Sequence, residues 1–387
     1  MRIIRLGLVN LGVLVLLVLG LNVISAALID GERWLLEPLR QGGVLAVRPD
    51  PRSASPLYPD QAFAQRHFRE LFAMGFRYAP FVGWSRNAFA GETITINAAG
   101  DREHPATTET PRLTIRFFGG SALWGTGAED EGTIPALFNA RAPDHRVLNH
   151  GESGFTSRQN LARLVNLANQ GAALDLVVFY DGANDADILC RADVSLNGHA
   201  RETKIGRALE LPGATSDNAI VARLEGAHLG RIFVASAARM ALAVQGALAD
   251  EPSTPELRAL SRCRGEDDYA ERVAATLLGN WGLARTIVES RGGRFLAVLQ
   301  PVAQVGKPRL DHLDEALSKR HAPDDYRRVY RALAARLEGG DLPWVLDLSA
   351  AFDGDERFYI DQFHVTERGN RVVAARIKAR LEELYEL

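Results

Sequence analysis

Apolar positions along the chain fall into three patterns that divide it into regions. Leu6 to Ile29 is a run of 24 residues without a charge, and the proline-rich residues 30–62 follow it. Between Thr93 and Asn97 polar and apolar residues alternate with a period of two, which is typical of strands and hairpins. From Arg112 onward, short apolar runs alternate with segments of helical spacing, which predicts repeated strand–helix units.

The strand–helix units predict a parallel α/β domain over residues 111–387. Its five expected strands are 114–118, 146–149, 174–180, 294–300 and 344–348. Its expected helices include 133–140, 157–170 and 366–384. Because parallel strands are joined by crossover helices that cover both faces of the sheet, we expect three layers around a five-stranded sheet.

The uncharged N-terminal run is long enough to cross a membrane. A spanning helix needs about 20 apolar residues, whereas a cleavable signal has an apolar region of about 7–15. Arg2 and Arg5 precede the run and Asp30 follows it, so the positive-inside rule places the rest of the chain outside the cytoplasm. We therefore expect residues 1–29 to be an uncleaved signal anchor, with secretion after cleavage near 25–27 as the alternative.

The segment between this anchor and the α/β domain is expected to have two parts. Residues 30–62 are interpreted as a linker with little regular structure because of their prolines. Residues 63–110 are interpreted as a small β-rich module beside the main domain. Its aromatic stretch from Tyr78 to Phe89 is expected to pack on the core, and a glycan-binding edge is the alternative.

Residues 187–268 interrupt the strand–helix rhythm and are expected to form a cap over the site, since they directly follow the third strand. Both cysteines of the chain, Cys190 and Cys263, lie in this insertion. Outside the cytoplasm they could form a disulfide, with two free thiols as the alternative. Neither belongs to a Cys-x-x-Cys pair, which argues against a structural zinc site, and no other metal is expected.

Composition changes this picture little. The 387 residues are 47% hydrophobic and 24% charged, an ordinary balance for a globular protein with one large core or two domains. The net charge of -3 and the pI of about 6.3 exclude a general nucleic-acid binder, so no nucleic-acid partner is expected.

Four polar segments follow predicted strands, and the carboxyl ends of parallel strands meet at one edge of a sheet, where ligands bind. The segments are Gly119–Ser121, Asn149–Ser157, Asp181–Asp185 and Asp361–Asn370. Each is weak by itself: Ser121 alone would be a helix cap and Asn184 alone a turn residue. Together they bring the residue types of nucleophilic acyl transfer to one edge.

Acyl transfer assigns a role to each of these residue types. Ser121 is the candidate nucleophile, His364 the general base, and Asp361, three residues earlier, the acid that orients the imidazole. A tetrahedral oxyanion needs hydrogen-bond donors. The backbone N–H groups of Ser121 and Gly154 and the side-chain amide of Asn184 would supply three.

These segments resemble the four blocks of the SGNH hydrolases, the GDSL-type esterase and lipase family. Ser121 stands in the first block and Gly154 in the second, Gly182-Ala183-Asn184-Asp185 matches the Gly-x-Asn-Asp of the third, and 361–364 matches the Asp-x-x-His of the last. The resemblance covers roughly 112–186 and 291–386. It implies a flavodoxin-like three-layer fold and ester hydrolysis without a metal or other cofactor.

Gly120 departs from the family pattern, whose first block usually reads Gly-Asp-Ser. The departure removes a carboxylate that normally braces the site. Gly119, Gly120 and Gly182 are expected to support the turns of the site, and Asp185 to support its own turn through local hydrogen bonds. In the second block, Gly151 is a rival to Gly154.

Three functions are compatible with these residues. The first is a membrane-anchored serine esterase that removes O-acyl groups, with O-acetyl preferred, from a cell-envelope or exported polysaccharide through an acyl-serine intermediate. The second is an O-acyltransferase that uses the same triad and passes the acyl group to a glycan. The third is a non-catalytic scaffold or glycan-binding protein, which only Gly120 favours. The expected partners are the acyl ester, carbohydrate in the preferred case, and the membrane through the N-terminal helix.

Overall fold

The computed structural model of the chain divides into two compact units. The structure describes residues 10–17, 20, 49–105, 108–210, 260–313, 323–340 and 342–386. The first unit is Met1–Arg48 with Thr203–Ser253, and the second is Pro49–Glu202 with Thr254–Leu387. No helix in these described ranges is both long and apolar enough to cross a membrane. Most of the predicted anchor at 1–29 and residues 30–48 of the predicted linker lie outside the described residues.

The N-terminal part of the second unit holds helices as well as strands. Its elements are a short 3-10 helix (Pro51–Ala54), α1 (Gln61–Ala73), β1 (Phe76–Ala79), β2 (Gly83–Arg86), β3 (Phe89–Ala90) and β4 (Thr95–Ile96). Strands β1 and β2 form one antiparallel hairpin and β3 and β4 another. The region interpreted as a β-rich module at 63–110 thus also contains most of α1, which Asp60 begins by accepting hydrogen bonds from two backbone N–H groups of its first turn.

Five parallel strands form the central sheet of this unit, which confirms the predicted sheet. They are β5 (Thr114–Gly119), β6 (Arg146–Asn149), β7 (Leu176–Asp181), β8 (Arg294–Leu299) and β9 (Val345–Asp347). Their order across the sheet is β6-β5-β7-β8-β9, and every neighbouring pair is parallel. The carboxyl ends of all five strands therefore open on one edge.

Helices cover both faces of this sheet. The α-helices that follow β5 in the described residues are α2 (Ser121–Trp124), α3 (Ile134–Asn139), α4 (Ser157–Asn169), α5 (Ala183–Ile188), α6 (Glu202–Glu210), α7 (Arg262–Gly265), α8 (Tyr269–Glu289), α9 (Pro323–Glu338) and α10 (Glu367–Tyr385). Successive residues of β7 enter opposite cores, because strand side chains alternate between faces. Val177 and Phe179 join the core with residues of α4, α8 and α9, whereas Val178 and Tyr180 join the core with residues of α3 and α10.

The N-terminal elements pack on the chain segments that flank the predicted site. Phe68 of α1 and Ile94 share a buried cluster with Trp124, three residues after Ser121, and with Ile360, which precedes Asp361. This packing attaches the N-terminal part to the two segments that carry the predicted triad.

The aromatic stretch from Tyr78 to Phe89 divides between the interior and the surface. Trp84 is buried against Phe155, as expected for core packing. Tyr78 and Phe81 do not pack on a core, since they are 74% and 92% exposed.

Cys190 and Cys263 form a disulfide, with their Cα atoms 5.1 Å apart. Both side chains are buried in the same apolar core, and the bond ties the chain just after α5 to α7. The bond joins the two ends of the insertion expected at 187–268. Residues 211–259, on which most of the expected cap falls, lie outside the described residues.

Replacing both cysteines by serine should lower the free energy of unfolding by about 2–4 kcal/mol, because the bond limits the unfolded chain across 73 residues of sequence. Urea unfolding of the double variant and of wild type measures the difference. Thiol titration of denatured, unreduced wild type serves as the control and should find no reactive thiol. Two reactive thiols would contradict the disulfide.

Candidate active site

Ser121 lies at the point where β5 ends and α2 begins. Gly119 closes the strand, and a Cβ there would lie 2.6 Å from the Tyr180 carbonyl oxygen and 2.8 Å from the Leu123 side chain, so only glycine fits. Gly120 is the N-cap, and Ser121 is the first residue of the short helix. The serine is 9% exposed, which leaves its hydroxyl at the margin of the interior.

The structure joins the three predicted catalytic side chains in one hydrogen-bonded chain. His364 Nε2 lies 2.7 Å from Ser121 Oγ, and His364 Nδ1 lies 2.6 Å from Asp361 Oδ2. An ionised carboxylate can only accept hydrogen bonds, so Nδ1 carries the proton and Nε2 is free to accept the serine hydroxyl. This is the tautomer that a general base requires.

Asp361 is held as an ionised group despite its burial. Burial by itself would raise its pKa, but the charge and hydrogen bond of His364, the charge of Arg52 and the backbone N–H of Phe363 together bring the pKa of Asp361 below its usual range. The backbone N–H groups of Phe363 and His364 both donate to Oδ1, at 3.0 and 2.8 Å. The local turn therefore fixes the carboxylate before the imidazole contacts it.

Of the three expected oxyanion donors, Gly154 follows β6, Asn184 follows β7 and the Ser121 backbone N–H follows β5. Asn184, in α5, donates one amide hydrogen to the Phe155 carbonyl oxygen at 2.8 Å, which leaves its second hydrogen for another acceptor. Gly154 precedes Phe155 and has a φ of +75°, a conformation that favours glycine. The hydrogen bond thus couples the second-block loop to the third-block helix.

Gly120 leaves room for the Asn184 amide beside the nucleophile. A Cβ at this position would overlap Asn184 Nδ2, so the space that a side chain would take is filled by the predicted oxyanion amide. From the sequence, Gly120 was expected to deprive the site of a supporting carboxylate. The structure instead shows that its small size lets Asn184 approach the backbone beside Ser121.

The two other glycines of the predicted blocks have packing roles. Gly182 has a φ of +127° and begins α5, and a Cβ there would lie 2.7 Å from Leu299 Cδ1 and from Tyr330 Oη. Gly151, the rival to Gly154, lies against α2, where a Cβ would come 2.7 Å from the Trp124 backbone nitrogen. Each glycine permits a close contact between its own loop and a neighbouring strand or helix.

Asp185 supports its own turn through the backbone N–H groups of Gly182 and Asp185, as expected, and it also acts beyond that turn. Its Oδ1 accepts the Ser157 hydroxyl at 2.6 Å and its carboxylate accepts the Ser157 backbone N–H at 3.2 Å, across 28 residues of sequence. Nearby Asp181 accepts from Asn160 Nδ2 at 2.7 Å and Trp281 Nε1 at 2.9 Å. Burial raises the pKa of Asp185 to about 6, and burial with the charge of Asp185 raises the pKa of Asp181 well above its ordinary value.

A buried ion pair also supports the loop of the second block, and the sequence did not reveal it. Arg86, at the end of β2, donates from Nε to Glu152 Oε1 at 3.2 Å and from its backbone N–H to Glu152 Oε2 at 2.9 Å. Trp84 Nε1 donates to the Ser153 carbonyl oxygen at 3.1 Å. The β1–β2 hairpin therefore holds the loop that carries Gly154.

Comparison with known proteins gives low-similarity structural matches alone. No protein-family model matches the chain, and no curated protein matches it. Among solved structures it is similar to Est24, a carbohydrate acetylesterase from Sinorhizobium meliloti, at 12% identity over 71% of this chain and 100% of the other, with a TM-score of 0.37. It is also similar to a lipolytic G-D-S-L family protein from Veillonella parvula at 14% identity, 71% and 98% coverage and a TM-score of 0.34. A catalytic mutant of Axe2, an acetylxylan esterase from Geobacillus stearothermophilus, matches at 17% identity, 70% and 94% coverage and a TM-score of 0.32.

At these identities and TM-scores the likenesses carry no weight for the function of this chain. The hydrogen-bonded geometry at the carboxyl edge of the sheet carries it instead.

Gly120→Ala should lower kcat for a small ester such as p-nitrophenyl acetate by about 10²–10³, because the new methyl group displaces the Asn184 amide. Steady-state kinetics measures the loss. Gly279→Ala is the matched control, since a Cβ there meets nothing within 4 Å. An unchanged kcat in Gly120→Ala would show that Asn184 does not act from this position.

The buried acids should make the protein less stable as pH rises through the weakly acidic range. The pKa of Asp185 is raised from 3.8 to about 6, so its contribution to stability is complete below about pH 4 and is lost as pH rises through 6. Asp185→Asn should remove this part of the slope, a difference on the order of 2 kcal/mol.

Urea unfolding at several values between pH 4 and 7 measures this slope. Asp144→Asn is the control, because the Asp144 side chain is 53% exposed. If Asp185→Asn keeps the slope of wild type, Asp185 is not its source.

Proposed function

We propose that the chain is a serine ester hydrolase of the SGNH type. One observation carries the proposal: Asp361, His364 and Ser121 form an unbroken chain of two short hydrogen bonds, with the Asn184 amide beside the nucleophile's backbone. A nucleophile, a base in hydrogen-bond reach, an orienting acid and an oxyanion donor are the parts that covalent acyl transfer requires.

The reaction begins when Ser121 Oγ attacks the acyl carbonyl and its proton passes to His364 Nε2. Asp361 holds the imidazole in place and stabilises the imidazolium. The oxyanion receives hydrogen bonds from the Ser121 and Gly154 backbone N–H groups and from the Asn184 amide. His364 then protonates the leaving alcohol, which leaves an acyl group on Ser121.

Water completes the cycle by the same steps. His364 takes a proton from the water, the hydroxide attacks the acyl-serine, and the carboxylic acid leaves as Ser121 regains its proton.

We further propose that the substrate is an O-acyl ester of a carbohydrate, with acetyl as the acyl group. Gly120 and Asn184, which lie beside the backbone of the nucleophile, are small or polar, which favours a short acyl chain. The β1–β2 hairpin holds the Gly154 loop and also presents Tyr78 and Phe81 to solvent. Exposed aromatic rings on this hairpin offer flat apolar faces against which a sugar ring can pack.

The sequence pattern at the N-terminus supports a cellular location for this reaction. An uncharged run of 24 residues with arginines before it favours anchoring in a membrane and a catalytic unit outside the cytoplasm. The substrate proposed for that location is a cell-envelope or exported polysaccharide.

The non-catalytic alternative loses its single argument. That alternative depended on Gly120, which here makes room for an oxyanion donor. The acyltransferase alternative uses the same residues and differs in the acceptor of the acyl group, which product analysis decides.

Ser121→Ala and His364→Ala should each lower kcat for p-nitrophenyl acetate by about 10⁴-fold or more, since either change removes the nucleophile or its base. Asp361→Asn should cost less. A fluorescent fluorophosphonate should label wild type and should fail to label Ser121→Ala. Ser290→Ala, on a helix end outside the site, is the control and should be labelled like wild type. Wild type that neither labels nor turns over would refute the proposed function.

The acyl acceptor is identified by incubating wild type with an acetylated oligosaccharide and a second, unacetylated one. Hydrolysis releases one equivalent of free acetate per ester lost. Acetylated product on the second oligosaccharide in place of free acetate would favour the transferase.

A further inference from the structure

We propose that Arg52 is a positioning residue of the active site, which acts through Asp361 and reaches it from the segment before α1. The proposal rests on the proposed esterase function. Arg52 Nη1 donates to Asp361 Oδ2 at 3.3 Å, on the same oxygen that accepts His364 Nδ1. The contact joins residues that are 309 positions apart in the sequence. From the sequence, the region of Arg52 was interpreted as a linker.

Asp50 fixes the guanidinium of Arg52 in a two-point clamp. Arg52 Nε donates to Asp50 Oδ1 at 3.0 Å and Nη2 donates to Oδ2 at 2.7 Å, while Asp50 Oδ1 also accepts the Arg52 backbone N–H at 2.8 Å. The guanidinium lies over the Phe68 ring, 4.9 Å from its centroid. With 13% of its side chain exposed, Arg52 has little freedom to leave Asp361.

The contact completes the set of hydrogen bonds around the Asp361 carboxylate. Oδ1 accepts two backbone N–H groups, and Oδ2 accepts His364 Nδ1 and Arg52 Nη1. Four donors on two oxygens set both the position and the rotation of the carboxylate, and so set the imidazole that it holds. Small displacements of a catalytic base cost a large part of the rate.

Arg52 also changes the charge that the imidazole meets. Asp361 favours the imidazolium, the cation of Arg52 opposes it, and Asp50 offsets part of that cation. Among the described residues, the other titratable groups that face this cluster are Tyr58, Tyr326 and His67. Burial raises the pKa values of the two tyrosines, and burial with the charge of Arg102 lowers the pKa of His67 to about 3, so all three stay neutral. Removal of Arg52 should therefore favour the protonated imidazole, and removal of Asp50 should disfavour it.

The segment that carries Arg52 is attached to the catalytic unit at several points. Tyr58 Oη donates to the Gly127 carbonyl oxygen at 2.9 Å, and Tyr58 belongs to the buried cluster with Phe68, Trp124 and Ile360. The site is thus complete when residues 49–58 are docked on it.

Arg52→Gln in the full chain is the central test. We expect kcat for p-nitrophenyl acetate to fall about 10–100-fold with KM changed less than about threefold, because Arg52 does not touch the substrate. We also expect the acid limb of the pH profile of kcat/KM to move to higher pH. Arg52→Lys, which keeps the charge, should bring the acid limb back towards its wild-type position.

Asp50→Asn should shift the acid limb of the pH profile in the opposite direction. It leaves the cation in place and removes its compensating anion, so the acid limb should move to lower pH. Arg191→Gln is the matched control, since Arg191 forms the same two-point pair with Asp193, two residues away, and donates those bonds away from the triad. This variant should keep the kcat and pH profile of wild type.

The downfield proton resonance of His364 Nδ1–H provides a readout that does not depend on turnover. It reports the hydrogen bond to Asp361, and we expect it to shift in Arg52→Gln and to stay in place in Arg191→Gln. Thermal unfolding measures the folded fraction of each variant.

Two results would overturn the role of Arg52. One is an Arg52→Gln enzyme with the kcat, pH profile and proton resonance of wild type. The other is a loss of kcat that matches the loss of folded protein while the pH profile and resonance stay unchanged. Wild type that fluorophosphonate does not label would instead refute the proposed function, so the two failures are distinguishable.

Discussion

One imidazole must contact a serine that lies 243 residues away in the sequence, and the rest of the site is arranged around that constraint. His364 receives Asp361 from its own turn but meets Ser121 from the other end of the domain. The parallel sheet makes the meeting feasible because all its strands end at one edge. The chain after β9, the outermost strand, then returns across the carboxyl ends of the strands. There the Ala303 backbone N–H donates to the Gln362 carbonyl oxygen at 2.7 Å.

Buried carboxylates near this edge divide into two kinds by their partners. Asp361 receives hydrogen bonds from cationic or ionisable groups and backbone N–H groups, and its pKa lies below the usual range. Asp181 and Asp185 receive theirs from neutral donors, and burial raises the pKa of both. Opposed shifts of this type separate the roles of neighbouring acids. The first acid supports charge in the imidazole, whereas the other two tie β7 and α5 to α4 and so fix Asn184.

Local patterns predicted the framework of the catalytic unit closely. The strand expected at 146–149 is β6 with the same bounds, and the helix expected at 157–170 is α4, Ser157–Asn169. The first three polar segments also follow their strands as expected, whereas the fourth begins at Asp361, 14 residues after the end of β9. These features depend on alternation within a strand or on helical spacing, so neighbouring residues are enough to specify them.

Other features of the site could not be predicted from such patterns. Helix α1 was absent from the expected module, Asp185 bonds to Ser157 rather than only within its turn, and Gly120 makes room for Asn184. Each of these depends on which distant segment lies beside the residue.

The sequence by itself determined the strands, the order of the polar segments and the residue types of the proposed triad, because these are set over a few neighbouring positions. The tertiary structure decided that the Asn184 amide fills the space beside Gly120 and that Arg52 reaches Asp361. It also decided that Cys190 pairs with Cys263, which the sequence left open. The physical reason is that contacts between distant residues follow the path of the packed chain, which local periodicity does not encode.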